Sequence, residues 1–305
     1  MNKNSKMNKI AILSVIGLIL TISMVIFILN YTKDSSSLSI LEKNWINNNS
    51  NNIIDVSVYN DIPVYGQNGE GIIFSYLEEF TNSYNIGFNK ISYIQNNSQN
   101  LKDVSFRILD FDTDLTDNDI EIYKDYYVIV SKDNSVLNNI QDLNEIKLGV
   151  LDSDLANIKY YLNEAKNITY ISCKSLEEMI NKINSTSKDI EYMAIPKTMY
   201  LDEILTNDLN IVYHISELYQ KYVITVNKNK TLKSILNKFW IVYNNEHIEN
   251  KYKKYYLNTV FNYEEITEAE RMSYNGSAYT YGYVTNMPYE NTINKEFVGT
   301  ISNYL

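Results

Sequence analysis

The chain has 305 residues, 45% of them apolar, which is room for one large domain or two modest ones. A formal net charge of −10 and the absence of any long basic run exclude the Lys/Arg-rich face that a nucleic-acid partner requires. The single cysteine, Cys173, excludes an intrachain disulfide, and its expected role is that of a small buried apolar side chain.

In chain order, residues 1–9 carry Lys3, Lys6 and Lys9 and read as a cytoplasmic tail. Ile10 to Leu29, IAILSVIGLILTISMVIFIL, contains no charge, and twenty residues at helical rise span a hydrocarbon layer of ~30 Å. The lysines precede this run, and Lys33 beyond it is offset by Asp34, so the positive-inside rule exports everything after Tyr31. VIFILNYTKD has no small-residue cleavage site, and no cysteine follows to carry a lipid. The expectation is an uncleaved anchor at 10–29, with the protein in the cell membrane as a single-pass, C-terminal-out chain. Residues 30–53 are rich in Ser and Asn (KDSSS, NNNSNN) and read as a tether with one short helix.

After the tether, strands alternate with helices. IIDVSVY (53–59) alternates as a strand does, and Ile73, Tyr76, Leu77 and Phe80 lie on one face of a helix opening after Gly71. YYVIVS (126–131), IKLGVL (146–151), IEYMAI (190–195) and YVITVNK (222–228) read as further strands. SLEEMINKIN (175–184) is a helix with Ser175 and Glu178 placed as a capping box, and 231–257 is a long amphipathic helical tract. This alternation predicts an α/β fold with mostly parallel sheets.

Three constellations point to no chemistry. DFDTDLTDNDIE (110–121) places Asp110, Asp112, Asp114 and Glu121 at calcium-loop spacing, but Leu115 stands where the turn needs glycine, so the expectation is a solvated acidic loop. His214 and His247 have no Cys/His partner at zinc spacing. No nucleophile elbow, P-loop or dinucleotide fingerprint occurs. The reading is therefore of no cofactor, no metal and no catalytic residue.

The ordered set of strand, proline turn, glycine and helix, then YYVIVSKDNS (126–135), IQDLNEIKLGVLDSDLANIKYYL (140–162), SLEEMINKI and IEYMAIP, resembles the family 3 extracellular solute-binding proteins. The likeness covers about residues 54–262. Its pattern of DL, K-x-G-V and a Ser at a helix start stands here as Asp142-Leu143, Lys147, Gly149-Val150 and Ser153. The resemblance implies the type II periplasmic-binding fold, in which two α/β lobes close on a small solute by hinge motion. Each lobe is then expected to hold its own sheet, with crossovers near 124–131 and 213–227. The resemblance places Asp61 and Tyr65, around Pro63, in the loop that lines the cleft. Ser153 and Asp154 fall at a helix start where ligand anions meet backbone N–H groups. Thr116 and Asp119 stand where amino-acid-binding members have T-x-x-R, whose Arg holds the ligand carboxylate. Pro196 and Lys197 stand where those members place an Asp for the ligand amine. These departures argue against an ordinary α-amino acid and leave a cationic ligand, an uncharged one, or none.

The last stretch, YGYVTNMPYENTINKEFVGTISNYL (281–305), repeats the opening of the first unit. Pro288 answers to Pro63, Gly299 to Gly71 and Tyr304-Leu305 to Tyr76-Leu77. Residues 263–278 thus read as a linker and 279–305 as the incomplete start of a second solute-binding unit. That tandem start favours a ligand-sensing domain ahead of a signalling output. The alternatives are the binding component of an ABC importer, partnered by a permease, or the binding part of a cell-wall lytic enzyme. The topology predicts that a Ser36→Cys variant is labelled by an impermeant thiol reagent in intact cells; protection from the reagent would overturn it.

Overall fold

The computed structural model describes residues 37–93, 102–133, 137–187, 189–267, 270, 291–293 and 296–298. The expected anchor at 10–29, and most of the expected second unit at 279–305, lie outside these residues. Among the described residues no helix is long and apolar enough to cross a membrane. Two compact units are distinguished, one ending at Tyr263 and one comprising Glu264–Leu305. In the second, β11 (Asn291–Ile293) and β12 (Glu296–Val298) form an antiparallel hairpin.

The first unit opens with α1 (Ile40–Asn49), inside the stretch read as a tether. Ser39 Oγ accepts from Glu42 N while Glu42 Oε2 accepts from Ser39 N, so two orphan donors of the first turn are satisfied reciprocally. β1 (Ile53–Tyr59) follows, then a hairpin of β2 (Asp61–Ile62) and β3 (Gly66–Gln67). α2 (Ile72–Tyr84) begins at Gly71, whose φ is 118° and where a Cβ would stand 2.7 Å from the Tyr65 carbonyl; glycine alone fits there. Asn85, left-handed at φ 55°, ends the helix with its N–H on Thr81 O.

Two more first-half strands, β4 (Gly87–Tyr93) and β5 (Val104–Leu109), precede the long β6 (Asp119–Ser131). The second half holds β7 (Lys147–Leu151), α3 (Leu155–Tyr161), β8 (Thr169–Cys173), α4 (Leu176–Ile183), β9 (Tyr192–Pro196) and α5 (Leu201–Thr206). The chain then returns along β10 (Asn210–Val226) into α6 (Lys230–Tyr263). Ser175 caps α4 as expected, accepting from Glu178 N. The reciprocal half differs, because Glu178 Oε2 accepts from Lys174 N while Oε1 takes the Lys182 ammonium at 2.7 Å.

The strand order is β4-β1-β5-β10-β6-β9-β7-β8, a single hydrogen-bonded sheet. This corrects the expectation of two separate sheets. Its cause is the length of β6 and β10, each of which passes through both halves of the unit. In the first half β10 pairs with β5 through residues 221–226 and with β6 through 219–225. In the second, residues 210–215 of β10 pair with 127–131 of β6, which in turn pair with β9. The ladder breaks register between these segments, where Ile215 faces Tyr127, Tyr219 faces Tyr126 and residues 216–218 are left out. Each half therefore repeats one pattern: three parallel strands, then the two shared antiparallel ones. The chain passes between the halves at Tyr126–Tyr127 of β6 and at 215–219 of β10.

Burial follows the halves. One core gathers β1, α2, β5, the first-half ends of β6 and β10, and the start of α6 around Tyr76, Phe80, Phe106 and Trp240. The second half has a core on each face of its sheet, one around Leu148, Val150 and Ile158, the other around Val128, Met179 and Ile195. Leu201 of α5 crosses over and packs in the first core. α6, 34 residues and so about 50 Å long, fully buries side chains from Leu232 to Tyr243, and beyond them Ile248, Tyr252, Tyr255 and Tyr256 pack half-buried against the same core. Tyr76 OH donates to Leu236 O at 2.7 Å and locks α2 against it. Near its far end Tyr263 OH donates to Asp208 Oδ1 at 2.9 Å, at the turn into β10.

α1 is held to α6 by charge as well as by Ile46. The Glu42 carboxylate takes Lys238 Nζ at 2.8 Å and Ser234 Oγ at 2.6 Å. Burial opposes its charge, but these partners and Ser39 outweigh it and hold the carboxyl down to about 2, against an ordinary 4.5. A depressed carboxylate stabilises the fold above its ordinary pKa, and that stability is lost as pH falls through the folded value. We predict that melting temperature declines as pH drops from 4.5 toward 2. Glu42→Gln should lower it by several degrees at pH 7, with at most about 3 kcal/mol at stake, and flatten the acid decline. An unchanged acid profile in the variant would assign the decline to other groups.

Candidate functional site

The loops after β1 and β9 face each other and enclose a cavity of about 280 Å³. Tyr59, Asp61, Pro63 and Gln67 line it from the first half, and Met199, Tyr200, Asp202 and Glu203 from the second. Its chemistry is one-sided: three carboxylates, two phenols and no Lys or Arg. The crowding is visible in the acids themselves. Partial desolvation, then the Asp202 charge, push the Asp61 carboxyl up. Burial pushes Glu203 up too; its own backbone N–H pulls the other way, and the charges of Asp202 and Asp61 add to the rise. Gln67 Nε2 donates to Asp202 Oδ2 at 2.5 Å, a contact between the halves across the cavity wall.

The first loop is bent to this purpose at a cost. Val64 has φ 69°, a left-handed conformation in which a β-branched residue is strained, and Tyr65 N donates to Pro63 O at 2.8 Å around it. Such strain persists only where its surroundings over-determine it. Here the carbonyls of Val64 and Tyr65 accept from Ile72 N and Ile73 N at the start of α2.

The second loop is fixed from below by Asp125 of β6, which has no exposed surface. Thr198 N and Met199 N donate to its two oxygens at 2.8 Å each, and Tyr222 OH donates at 2.7 Å. Burial still dominates and raises its pKa, against the lowering from these donors. Beyond Asp125 lies a second acidic group. Tyr127 OH donates to Asp154 Oδ2 at 2.9 Å, Ser153 Oγ to Asp154 Oδ1 at 2.8 Å, and Gln220 Nε2 to Tyr127 OH at 3.4 Å. Gln220 Oε1 is buried and, among the described residues, without a partner. Partial desolvation, then the charges of Asp154 and Asp112, raise Asp110. Tyr200 joins the two groups: its phenol is raised by burial first and then by the charges of Asp154 and Glu203.

The residues singled out in the sequence part company here. Asp61 lines the cavity, and Ser153 and Asp154 stand in the neighbouring network. Asp154 stands at the N-cap position of α3, but its side chain makes no capping hydrogen bond and takes Tyr127 OH and Ser153 Oγ instead. Tyr65 is 2% exposed and lies behind the cavity, stacked on Tyr123 with ring centroids 4.5 Å apart and edge-on to Tyr222 at 5.2 Å. Thr116 and Asp119 pair with each other: Thr116 N and Oγ1 donate to Asp119 Oδ2 at 2.9 and 2.7 Å. Asp119 Oδ1 takes Thr225 Oγ1 at 2.5 Å and Arg107 Nη2 at 3.4 Å. Burial opposes the Asp119 charge, but these donors win and lower its pKa. Lys197 donates its backbone N–H to Tyr126 O at 3.0 Å, and its charge acts on His214, which burial first and Lys197 second hold below the ordinary histidine range.

Sequence reasoning missed Tyr59, Tyr200, Asp202 and Glu203. Tyr59 ends the first strand and was legible as its last residue; the others follow β9 in a segment whose fold no local pattern announces. Among the described residues no group of three or more His, Cys, Asp or Glu side chains is placed to hold a metal. Cys173 is buried, with its thiol pushed up by burial despite Lys182 nearby.

A mixed sheet in two like halves, with a cavity between the loop after β1 of one and the loop after β9 of the other, is the two-lobed type II periplasmic-binding, or Venus flytrap, fold. The comparison with solved structures gives the same class. Residues amounting to 72% of this chain match 99% of the Bordetella pertussis BvgS periplasmic VFT2 domain, at 13% identity and a TM-score of 0.50; a double mutant of that domain gives 12% and 0.51. A domain described as the second substrate-binding domain of an amino acid ABC transporter from Streptococcus pneumoniae matches 66% of this chain over 99% of its own length, at 11% identity and a TM-score of 0.51. No family model and no curated protein matches the sequence.

Asp119 thus anchors the start of β6 and touches no cavity residue. We predict that Asp119→Ala costs about 2 kcal/mol of stability, through the donors it orphans, and shifts ligand affinity by less than about twofold. Thermal melts and calorimetry check this; a selective loss of affinity would return Asp119 to the ligand site.

Proposed function

We propose that this chain is a membrane-anchored extracytoplasmic ligand-binding domain of the family 3 solute-binding kind, whose lobes close on a small organic cation. The observation that carries the reading is the cavity between the loops, which presents Asp61, Asp202 and Glu203 beside the rings of Tyr59 and Tyr200 and no basic side chain. A carboxylate ligand would add to a repulsion that already raises Asp61 and Glu203, whereas an ammonium group relieves it. The tyrosine faces suit the same charge. Recognition of an α-carboxylate calls for a free guanidinium. The chain has two arginines, and Arg107 is committed to Asp119 and Thr225. A volume of about 280 Å³ fits a short amine, at the small end of ligand pockets.

Closure of two lobes on a solute serves sensing and transport alike. The motif repeated at 281–305 favours sensing; the likeness to a transporter's substrate-binding domain supports the importer reading. In either case the anchor at 10–29 holds the domain at the cell membrane, and no step of catalysis is assigned to it.

Calorimetry of the purified protein with 1,4-diaminobutane, arginine and glutamate tests the ligand class. The diamine should bind and glutamate should not, with affinity falling as pH drops and the raised carboxylates of Asp61 and Glu203 protonate. An Asp61→Asn/Glu203→Gln double variant should weaken diamine binding by about tenfold or more, one charge contact being worth at least ~1.4 kcal/mol. Tight glutamate binding, or a diamine affinity indifferent to the double variant, would sink the cationic reading.

A further inference from the structure

A second depression lies on the second half, away from the acidic cavity and sharing no residue with it. It is a groove of about 570 Å³ between the 3₁₀ turn Ile140–Leu143, the end of α3, and residues 213–217 of β10. We infer that this groove binds a neutral oligosaccharide. The reasoning rests on its lining and stands independently of the cleft ligand.

The side chains that line it are of the types that recognise sugars. Tyr160 is 68% exposed on the last turn of α3, one of few large rings left in solvent among the described residues, and Tyr161 meets it edge-on at 5.1 Å. A pyranose has one face of C–H groups, which packs on such a ring and covers apolar surface that water otherwise wets. Around the ring stand the amides of Asn138, Gln141 and Asn163, each with donors and an acceptor, and the carboxylates of Glu164 and Glu217, which only accept. Vicinal hydroxyls both donate and accept, so this mixture matches them. The groove holds no Lys or Arg, which disfavours anionic ligands.

An extended peptide is the other occupant a groove beside a sheet edge suggests, and the backbone argues against it. The 210–215 segment of β10 is the outer strand of its half, but Leu137 N already donates to Val212 O at 2.8 Å. At 216–218 the chain leaves the ladder. Too short a run of free edge groups remains for strand addition.

The test uses the full chain, purified in a non-glycosidic detergent, with chitotriose, maltotriose and cellotriose as probes and isotope-edited NMR or calorimetry as the readout. At least one trisaccharide should bind saturably, and Tyr160→Ala should weaken it by about tenfold, the loss of one stacking surface. Tyr160 is exposed, so the variant should keep its melting temperature, and Tyr160→Phe should retain binding. The Asp61→Asn/Glu203→Gln variant should bind the sugar like the parent, which separates this site from the cleft. No saturable binding by any of the three, binding unaffected by Tyr160→Ala, or protection of Tyr160 by an extended peptide instead of a sugar would overturn the proposal.

Discussion

The buried carboxylate of Asp125 is the constraint around which the rest is arranged. It lies on β6, one of the two strands common to both halves, and receives hydrogen bonds from the loop after β9 and from Tyr222 of β10. Removing a carboxylate from water is costly, and the cost is tolerable only with every oxygen satisfied. The arrangement therefore holds only while Thr198 and Met199 keep their N–H groups pointed down at β6. That orientation directs the following residues, Tyr200, Asp202 and Glu203, toward the first loop, and Leu201 into the first core. One buried charge thus sets where the second wall of the cavity stands.

The same cavity shows a balance between folding and recognition. Asp61, Asp202 and Glu203 gain nothing from each other, and a strained Val64 supports the loop opposite. By contrast, the carboxylates of Asp119 and Glu42, better shielded from solvent, are each supplied with several donors and have lowered pKa values. The contrast separates carboxylates supplied with several donors from the cavity acids, of which Asp202 has Gln67 while Asp61 and Glu203 are raised by burial and by the charges of neighbouring acids.

Much of the fold was legible because it is written locally. β1 occupies the residues that its alternation marked, α2 opens after Gly71, and Ser175 caps α4. The DL…K-x-G-V segment placed β7 and the turn beyond it. What escaped was written over distance. β4, β5 and β8 have weak alternation and are strands because their neighbours pair with them. β6 and β10 are longer than their apolar runs suggest, since polar residues such as Lys124, Gln220 and Lys221 sit in a ladder that continues through both halves. The site was half legible for the same reason. The family resemblance places Thr116 and Asp119 at the ligand, but Arg107 and Thr225, the latter far away in sequence, hold Asp119 in the scaffold. Tyr65 was correctly read as an aromatic of the first loop, yet Tyr123 and Tyr222 draw it into the interior.

The long terminal helix gives this architecture a mechanical property. α6 is rooted in the first core by Leu232, Ile235, Leu236, Trp240 and Tyr243, and its last residue is hydrogen-bonded to Asp208, which belongs to the second half. Between these ends Lys251 Nζ reaches Ser75 Oγ at 2.7 Å and Glu79 Oε1 at 2.9 Å, and the ring of Tyr252 packs on Tyr65 at 6.5 Å, so the helix is tied to the first half along much of its length and to the second half near its tip. A rotation of one half against the other would therefore load the last turn of α6, because a single helix is fastened to both.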